Sequence, residues 1–390
     1  MIAATAMVHG YAVAARDKRS FPKIAGLALL VGCSARSAGL LAMPDGVTNS
    51  SMTDVSPLVR LAADYDCTHL IAQTPGSKGV WDGVRFTIED AVDCDYFVML
   101  NNCRPAPVQV RCPREHVWCL IQEPYVPGAF EWLIENNDHF ARVFTHHIPV
   151  PEPRYVRSHP ALHWFVDLSY DELVAMSMPV KTKAVSFVTS DDVWLPGQRQ
   201  RNALRAFMMQ VAPDMVDVFG RGTRPIEDKW SGIAPYRYSL AVENSSSRDY
   251  WTEKLSDCFL SWTISLYDGC PNAEDYFPAD SFIRIDAADQ RATLAQINQL
   301  LAQDEWERRL PALNEARRRV LEKYHLFPVL VQAIRTYGTN DSEPSLTTIP
   351  AYTGMRPDSL RPATKFRTSR SGFTGMSLKN RIRYYVYRLG

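Results

Sequence analysis

The run Tyr250-Trp251-Thr252-Glu253-Lys254 sets a carboxylate beside a lysine, six residues after a second polar pair, Glu243-Asn244. Between the two pairs the chain is polar (SSSRD). Before them YSLAV (238–242) is apolar and β-rich and predicts a strand. After them Leu255, Cys258, Phe259 and Trp262 recur at i, i+3, i+4 and i+7, the spacing of one buried helix face. Glu253 and Lys254 therefore stand where a helix opens after a strand and a loop. Free N–H groups at such an opening attract anions. Carboxylate and amide groups suit hydroxyls, so the constellation fits a phosphorylated, hydroxyl-rich ligand. Lysine in a first turn opposes the helix dipole, which hints at a ligand; a surface lysine beside Glu253 is the plain alternative. Asp249 is suited to cap this helix.

Other chemistry-bearing residues lie upstream. QRQRNALRAFMMQV (198–211) is helical and carries Arg201, with Arg199 and Arg205 as rivals for any phosphate contact. Asp191-Asp192 resembles a metal-binding pair, but adjacent side chains diverge on most backbones. Glu123, in LIQEPYVPG, directly follows the apolar run HVWCLI (116–121) and is the best-placed general base, with Glu115 and Asp138 as rivals. Trp81, Tyr125, Trp132, His146 and His147 are candidates for ligand contact by location. The paired histidines have no nearby carboxylate or cysteine to complete a metal site.

These residues need a scaffold. PLVRLAADY (57–65) reads as a helix and CTHLIAQ (67–73) as a strand. Segments 95–100, 116–121 and 141–145 read as short buried strands, with a helix at 129–137 and a closing strand at 162–166. Four prolines between 147 and 161 suggest a linker or crossover. The alternation resumes with strands at 184–188, 215–220, 238–242, 263–267 and 282–285, then two helices, the second expected to kink at Pro311. This is an α/β pattern: two Rossmann-like halves with parallel sheets and a cleft between them. The expected division is 1–55 extension, 56–175 first domain, 176–335 second domain and 336–390 a polar, then basic tail.

Composition narrows the class. The 390 residues are 46% hydrophobic and 22% charged, with a formal net charge of zero, which gives no sign of a nucleic-acid partner. The eight cysteines include no CxxC pair and read as reduced core thiols. No run has the length of a membrane span; IAGLALLVGC (24–33) has ten residues and ends like a lipoprotein cleavage box, far from Met1. A cytoplasmic protein is expected. The end SLKNRIRYYVYRLG could hold it peripherally on the inner membrane face, or be a solvated basic terminus.

Residues 236–282 also resemble the signature of glycosyltransferase family 10, the α-1,3/4-fucosyltransferases. The family pattern is an aromatic-basic-aromatic strand, F-E-N-S, a loop, Y-x-T-E-K, an apolar helix, a G-x-P-x turn and an acidic-aromatic-x-P-x-x-S-F close. Here stand Tyr236-Arg237-Tyr238, Val242-Glu243-Asn244-Ser245, Tyr250 to Lys254, Gly269-Cys270-Pro271-Asn272, and Asp275-Tyr276-Phe277-Pro278 through Ser281-Phe282. Thr189-Ser190, Arg201-Asn202 and Val216 to Gly220 match a second family run. Trp262, Ser265 and Asp268 depart from it. The resemblance implies a GT-B fold and an inverting transfer of fucose from GDP-fucose to a glycan hydroxyl, on GlcNAc or Glc in α-1,3 linkage within an oligosaccharide or polysaccharide. It implies that Tyr250, Glu253 and Lys254 bind the donor, with Lys254 on the phosphates. Glu243 and Asn244 would shape that pocket, Arg201 would contact the diphosphate, Glu123 would be the base, and no metal or other cofactor would be required. Another sugar nucleotide on the same scaffold, or a binding protein without turnover, remain as alternatives.

Overall fold

The computed structural model describes residues 56–352 except 129, 227, 340 and 341, and these lie in one compact unit. The lipoprotein-like box and the basic end lie outside the described residues. Among the described residues no helix is long and apolar enough to cross a membrane.

The first sheet contains β1 (Leu58–Ala63), β2 (Val80–Trp81), β3 (Val84–Thr87), β4 (Tyr96–Leu100), β6 (Val117–Leu120), β7 (Arg142–Thr145) and β8 (Tyr155–Arg157), while β5 (Val108–Cys112) stands outside it. Its order is β2-β3-β1-β4-β6-β7-β8, parallel except for the β2–β3 hairpin. The second sheet contains β9 (Lys183–Val188), β10 (Val216–Phe219), β11 (Tyr236–Val242), β12 (Ile264–Asp268) and β13 (Phe282–Arg284), ordered β10-β9-β11-β12-β13 and wholly parallel. The helices are α1 (Tyr170–Ala175), α2 (Pro196–Val211), α3 (Glu253–Leu260), α4 (Gln290–Gln303), α5 (Trp306–Arg319) and α6 (Leu326–Tyr337). Two parallel α/β halves are the architecture expected of a GT-B fold. In each sheet the chain reverses its direction of winding: between β1 and β4, and between β9 and β11. Crevices at the carboxyl ends of strands beside such reversals are where ligands bind in open α/β sheets.

Several expected elements change. Residues 57–65 are not a helix: β1 is a central strand, hydrogen-bonded to β3 and β4. Leu, Arg and Ala favour helix locally, but Val59 and Leu61 are needed in the core. Arg60 is buried there because Ala91 O (2.9 Å), Gln109 O (2.8 Å) and Asp90 (2.7 Å) take its guanidinium. Residues 67–73 form a 3-10 turn instead of a strand, begun where Asp66 accepts from the Thr68 N–H (3.0 Å). The helix expected at 129–137 shrinks to one turn, Glu131–Leu133, because Asn102 Nδ2 donates to the carbonyls of Trp132 and Glu135, both at 2.8 Å. No strand forms at 162–166; Trp164 is bonded through its carbonyl to Gln73 Nε2 (2.9 Å) and Phe165 N–H to Asp257 (3.2 Å). Pro311 lies inside α5 without ending it.

The chain also crosses the expected boundaries. Trp164, Val166 and Leu173 pack in the second core. Helix α6 returns to the first sheet, where Leu326, Phe327, Leu330 and Val331 cover Val59, Leu61, Val98 and Leu100. The segment expected to be a tail includes β14 (Ser345–Ile349), which pairs antiparallel with β5.

Candidate functional site

Strand β11 carries the chain out of the second sheet at Val242, and Glu243 follows at its carboxyl end. Glu243 is buried, its carboxylate accepting from the Thr252 N–H (2.8 Å) and hydroxyl (2.7 Å). Lys254 Nζ lies 3.6 Å away. Burial pushes the Glu243 carboxyl up, against the pull of Lys254. Thr252, and not Asp249, caps α3: its hydroxyl accepts from the Lys254 N–H at 3.3 Å. Asp249 instead has a positive φ of 65° and binds Asn272 and Tyr276, each at 2.8 Å. Threonine before Glu-Lys is itself a favoured cap, so that signal was readable.

Lys254 and Glu253 meet at 3.1 Å, and Lys254 Nζ also donates to the Thr252 hydroxyl at 3.2 Å. Burial would push the Glu253 carboxyl up, but Lys254 and Lys229 outweigh it and hold it down at about 2. Tyr250 is buried against the His146 ring (4.9 Å between centroids), and burial holds its hydroxyl protonated.

Arg201 spans the crevice where the second sheet reverses. It rises from α2, donating to Asn244 Oδ1 after β11 (2.7 Å) and to Ser190 Oγ after β9 (3.2 Å). Its Nε is buried without a partner. Its rivals point elsewhere: Arg199 binds the Trp194 carbonyl (2.8 Å) and Arg205 the Arg221 carbonyl (3.4 Å). Asp191 and Asp192 are both taken by Arg221, the first at 3.0 Å. Among the described residues no group of three or more His, Cys, Asp or Glu side chains could hold a metal.

Lys229 completes this cluster and was not expected from sequence, where it sits in an unpatterned polar loop. Its ammonium contacts Asp257 at 2.7 Å, and Arg201, Lys229 and Lys254 line one recess of about 20 Å³. Three cations thus face three carboxylates, Glu243 and Asp257 buried and Glu253 half-buried. Beside them a cavity of about 210 Å³ is lined by Glu243, Asn244 and Asp268, by Gly197 at the start of α2, and by Val126 from the first half. A Cβ on Gly197 would collide with the Asn244 carbonyl oxygen, so α2 approaches that loop more closely than any side chain would permit. Of the three departures from the family pattern, Asp268 lines this cavity. Trp262 instead packs beneath Arg317 (3.8 Å) and donates to Asn314 (2.7 Å); Ser265 lies buried within β12.

In the first half, Glu123 follows β6 at the carboxyl edge. Asn101 Oδ1, after β4, accepts from the N–H groups of Gln122 (2.9 Å) and Glu123 (3.3 Å). Tyr65, after β1, donates to Gln122 Oε1 at 2.7 Å. The Glu123 charge is felt by both Tyr65 and Tyr250, one in each half. Glu115 and Asp138 precede β6 and β7, at the opposite edge of a parallel sheet, and are engaged by Ser342 (2.9 Å) and Arg154 (2.8 Å). Of the aromatic candidates, Trp81 and Trp132 are packed in the cores of the first half. Tyr125, His146 and His147 share a cavity.

Residues 178–309 match the model of the glycosyltransferase family 10 (fucosyltransferase) C-terminal region. That match lies wholly within the second half of the molecule. Over 188 residues the chain is 30% identical to α-(1,3)-fucosyltransferase 7 of Homo sapiens, covering 44% of this chain and 46% of that protein. Over 134 residues it is 31% identical to a 4-galactosyl-N-acetylglucosaminide 3-α-L-fucosyltransferase of Pongo pygmaeus, covering 33% and 36%. The chain thus spans less than half the length of these relatives. A crystal structure of an α1,3-fucosyltransferase with GDP aligns with a TM-score of 0.44 and 17% identity over 73% of this chain and 95% of that one. The matched residues 178–309 include Arg201, Lys229, Glu243, Asn244, Tyr250, Glu253 and Lys254; Glu123 lies outside them.

Proposed function

We propose that the chain is an inverting fucosyltransferase that moves L-fucose from GDP-fucose to a glycan hydroxyl without requiring a metal. The observation that carries this reading is the convergence of Arg201, Lys229 and Lys254 beside the reversal of the second sheet, within the residues that match family 10. A departing nucleoside diphosphate gains negative charge at the oxygen that leaves. Preformed cations in a dry recess stabilise that charge without reorganising. Arg201 offers a planar fork and an unpartnered Nε. Lys254 adds a charge at the opening of α3, where the helix dipole also favours an anion.

In this mechanism Glu123 accepts the proton of the acceptor hydroxyl. The oxygen attacks the anomeric carbon as the bond to the β-phosphate breaks, and GDP leaves with the electron pair. Tyr250 and Glu253 bound the sugar and ribose hydroxyls, and Glu243 holds Thr252 so that α3 starts in register. N-acetylglucosamine or glucose in α-1,3 linkage is the proposed acceptor end, and the cytoplasm the proposed site of action. The test is calorimetric titration with GDP and with UDP in the presence of EDTA, followed by transfer from GDP-fucose. Selective binding of GDP with EDTA present is expected. Equal binding of UDP, or a need for added metal, would sink the donor assignment.

A further inference from the structure

The ladder between β4 and β6 closes at the pair Leu100 and Leu120. One more backbone bond follows it, from the Asn101 N–H to the Leu120 carbonyl at 2.8 Å. There β4 turns away. Asn101 has a positive φ of 60°, a conformation that asparagine tolerates better than most residues. The other chain runs on through Ile121 and Gln122 to Glu123. Ile121 donates its N–H to Phe144 on the β7 side at 2.9 Å. The N–H groups of Gln122 and Glu123 have lost the strand they would have paired with, and Asn101 Oδ1 takes both, at 2.9 and 3.3 Å. A side-chain amide here stands in for a peptide carbonyl and lengthens the ladder.

The same corner is held from two other directions. Gln122 Oε1 accepts from the Tyr65 hydroxyl after β1 at 2.7 Å, and Gln122 Nε2 donates to the Pro160 carbonyl at 3.4 Å. Asn102, next to Asn101, donates through Nδ2 to the carbonyls of Trp132 and Glu135, each at 2.8 Å. The two asparagines thus tie down both ends of segment 122–135. Pro124 disfavours a helical backbone at Glu123, which narrows its conformation further. Asn101 is itself 4% exposed, so it acts on the loop and not on a ligand.

A base takes a proton only from an atom within hydrogen-bond reach, and a displacement of about 1 Å can cost roughly 100-fold in rate. We propose that Asn101 is a positioning residue for the transfer: its side-chain carbonyl fixes the backbone of Glu123 and so aims that carboxylate at the reacting hydroxyl, with Gln122 pinning the same loop to Tyr65 and Pro160. The aiming of a base rests on the transferase reading; the bracing of the loop does not.

Two substitutions at Asn101 separate aiming from stability. Asn101→Gly accepts the positive φ without strain and removes the acceptor. Asn101→Asp restores an acceptor of the same shape and adds a negative charge beside Glu123. In Asn101→Gly, kcat should fall roughly 100-fold while KM for GDP-fucose is unchanged, and hydrogen exchange at the Gln122 and Glu123 amides should accelerate. Asn101→Asp should recover roughly ten-fold of that loss and slow both amides again. It should also move the acid limb of kcat to higher pH, because a like charge raises the pKa of a carboxylate. The other titratable groups facing this loop are Tyr65, Tyr250 and His146. Burial pushes both tyrosine hydroxyls up and His146 down to about 4, so the limb between them reports the base.

Unchanged kcat in Asn101→Gly would overturn the proposal. So would a loss that Asn101→Asp does not recover, since that marks a residue of stability alone. Where Asn101→Gly does not fold, Gln122→Met decides: a fall in kcat at unchanged KM supports the brace, and unchanged kcat overturns it. If the unaltered chain transfers no fucose, the transferase reading fails. The exchange measurement then stands by itself: faster amides in Asn101→Gly keep the brace, and equal rates overturn it.

Discussion

The crevice of the second half and the crevice of the first half differ in how their polar groups are satisfied. After β11, side chains bind one another: Arg201 holds Asn244, Glu243 holds Thr252, Lys254 holds Glu253, and Lys229 holds Asp257. After β6, the loop is tied mainly through backbone N–H groups to Asn101, and nearby His146 Nδ1 and Ser247 Oγ have no partners. A site that stabilises a charge of fixed shape gains from being locked before the ligand arrives. A site that must orient one hydroxyl of a larger molecule needs open donors and acceptors. Under the proposed function the contrast fits leaving-group chemistry in the second half and acceptor chemistry in the first.

The sharpest way to break that division is Glu123→Gln. Turnover should fall roughly 10³-fold, within the range of a lost general base, while GDP affinity stays unchanged in calorimetry. If GDP affinity fell with turnover, Glu123 would belong to the donor site. Lys254→Ala should act in reverse, weakening GDP roughly 100-fold and lowering the melting temperature, because Glu243 and Glu253 would lose their shared cation. Arg201→Lys keeps the charge but cannot bridge Asn244 and Ser190; a roughly ten-fold loss of GDP affinity is expected, and none would show that the bridge is structural alone.

The smallest effect is a pH dependence. Glu253 is held at about 2, below its ordinary 4.5, so its stabilising contribution is complete well above pH 4.5 and is lost as pH falls through 2. Asp257, pushed up to about 6 by burial, acts oppositely: its carboxylate weakens the fold as pH rises from 3.8 through 6. Glu253→Gln should therefore flatten the acid limb of the melting curve below pH 4.5 while leaving the Asp257 limb. An unchanged acid limb would remove Glu253 from the charge cluster.

The same contrast governed what could be read in the sequence. In the second half local preference agrees with the fold, so the strands from β9 to β13 and helices α2 and α3 were legible. The grouping of Arg201 with Glu243 to Lys254 came from the resemblance to family 10; in the structure these residues flank strands that are neighbours in the sheet. In the first half β1 reads as a helix because Leu, Arg and Ala favour one; only pairing with β3 and β4 makes it a strand. Strands β2, β3, β5 and β8 have two to five residues, too few to display alternation. Glu123 was recognisable by its place after an apolar run. Lys229 was not, since its partner Asp257 is 28 residues away and only the tertiary fold brings them together.

Helix α6 and strand β14 come from the far end of the chain, yet they cover one face of the first sheet and pair with β5 beside it. A ribosome delivers β1, β4 and β5 first, and more than two hundred residues pass before their covers emerge. Among the described residues the second core, by contrast, draws on nothing beyond Tyr324. The half made last therefore finishes first, reversing the usual amino-to-carboxyl order of folding during synthesis. A chain stopped at Tyr324 would keep the second core whole and leave the first sheet with a bare apolar face, and β5 without its pairing strand, the state most prone to aggregate. Trimming the carboxyl end to obtain a smaller soluble protein would therefore damage the half farthest from the cut in sequence.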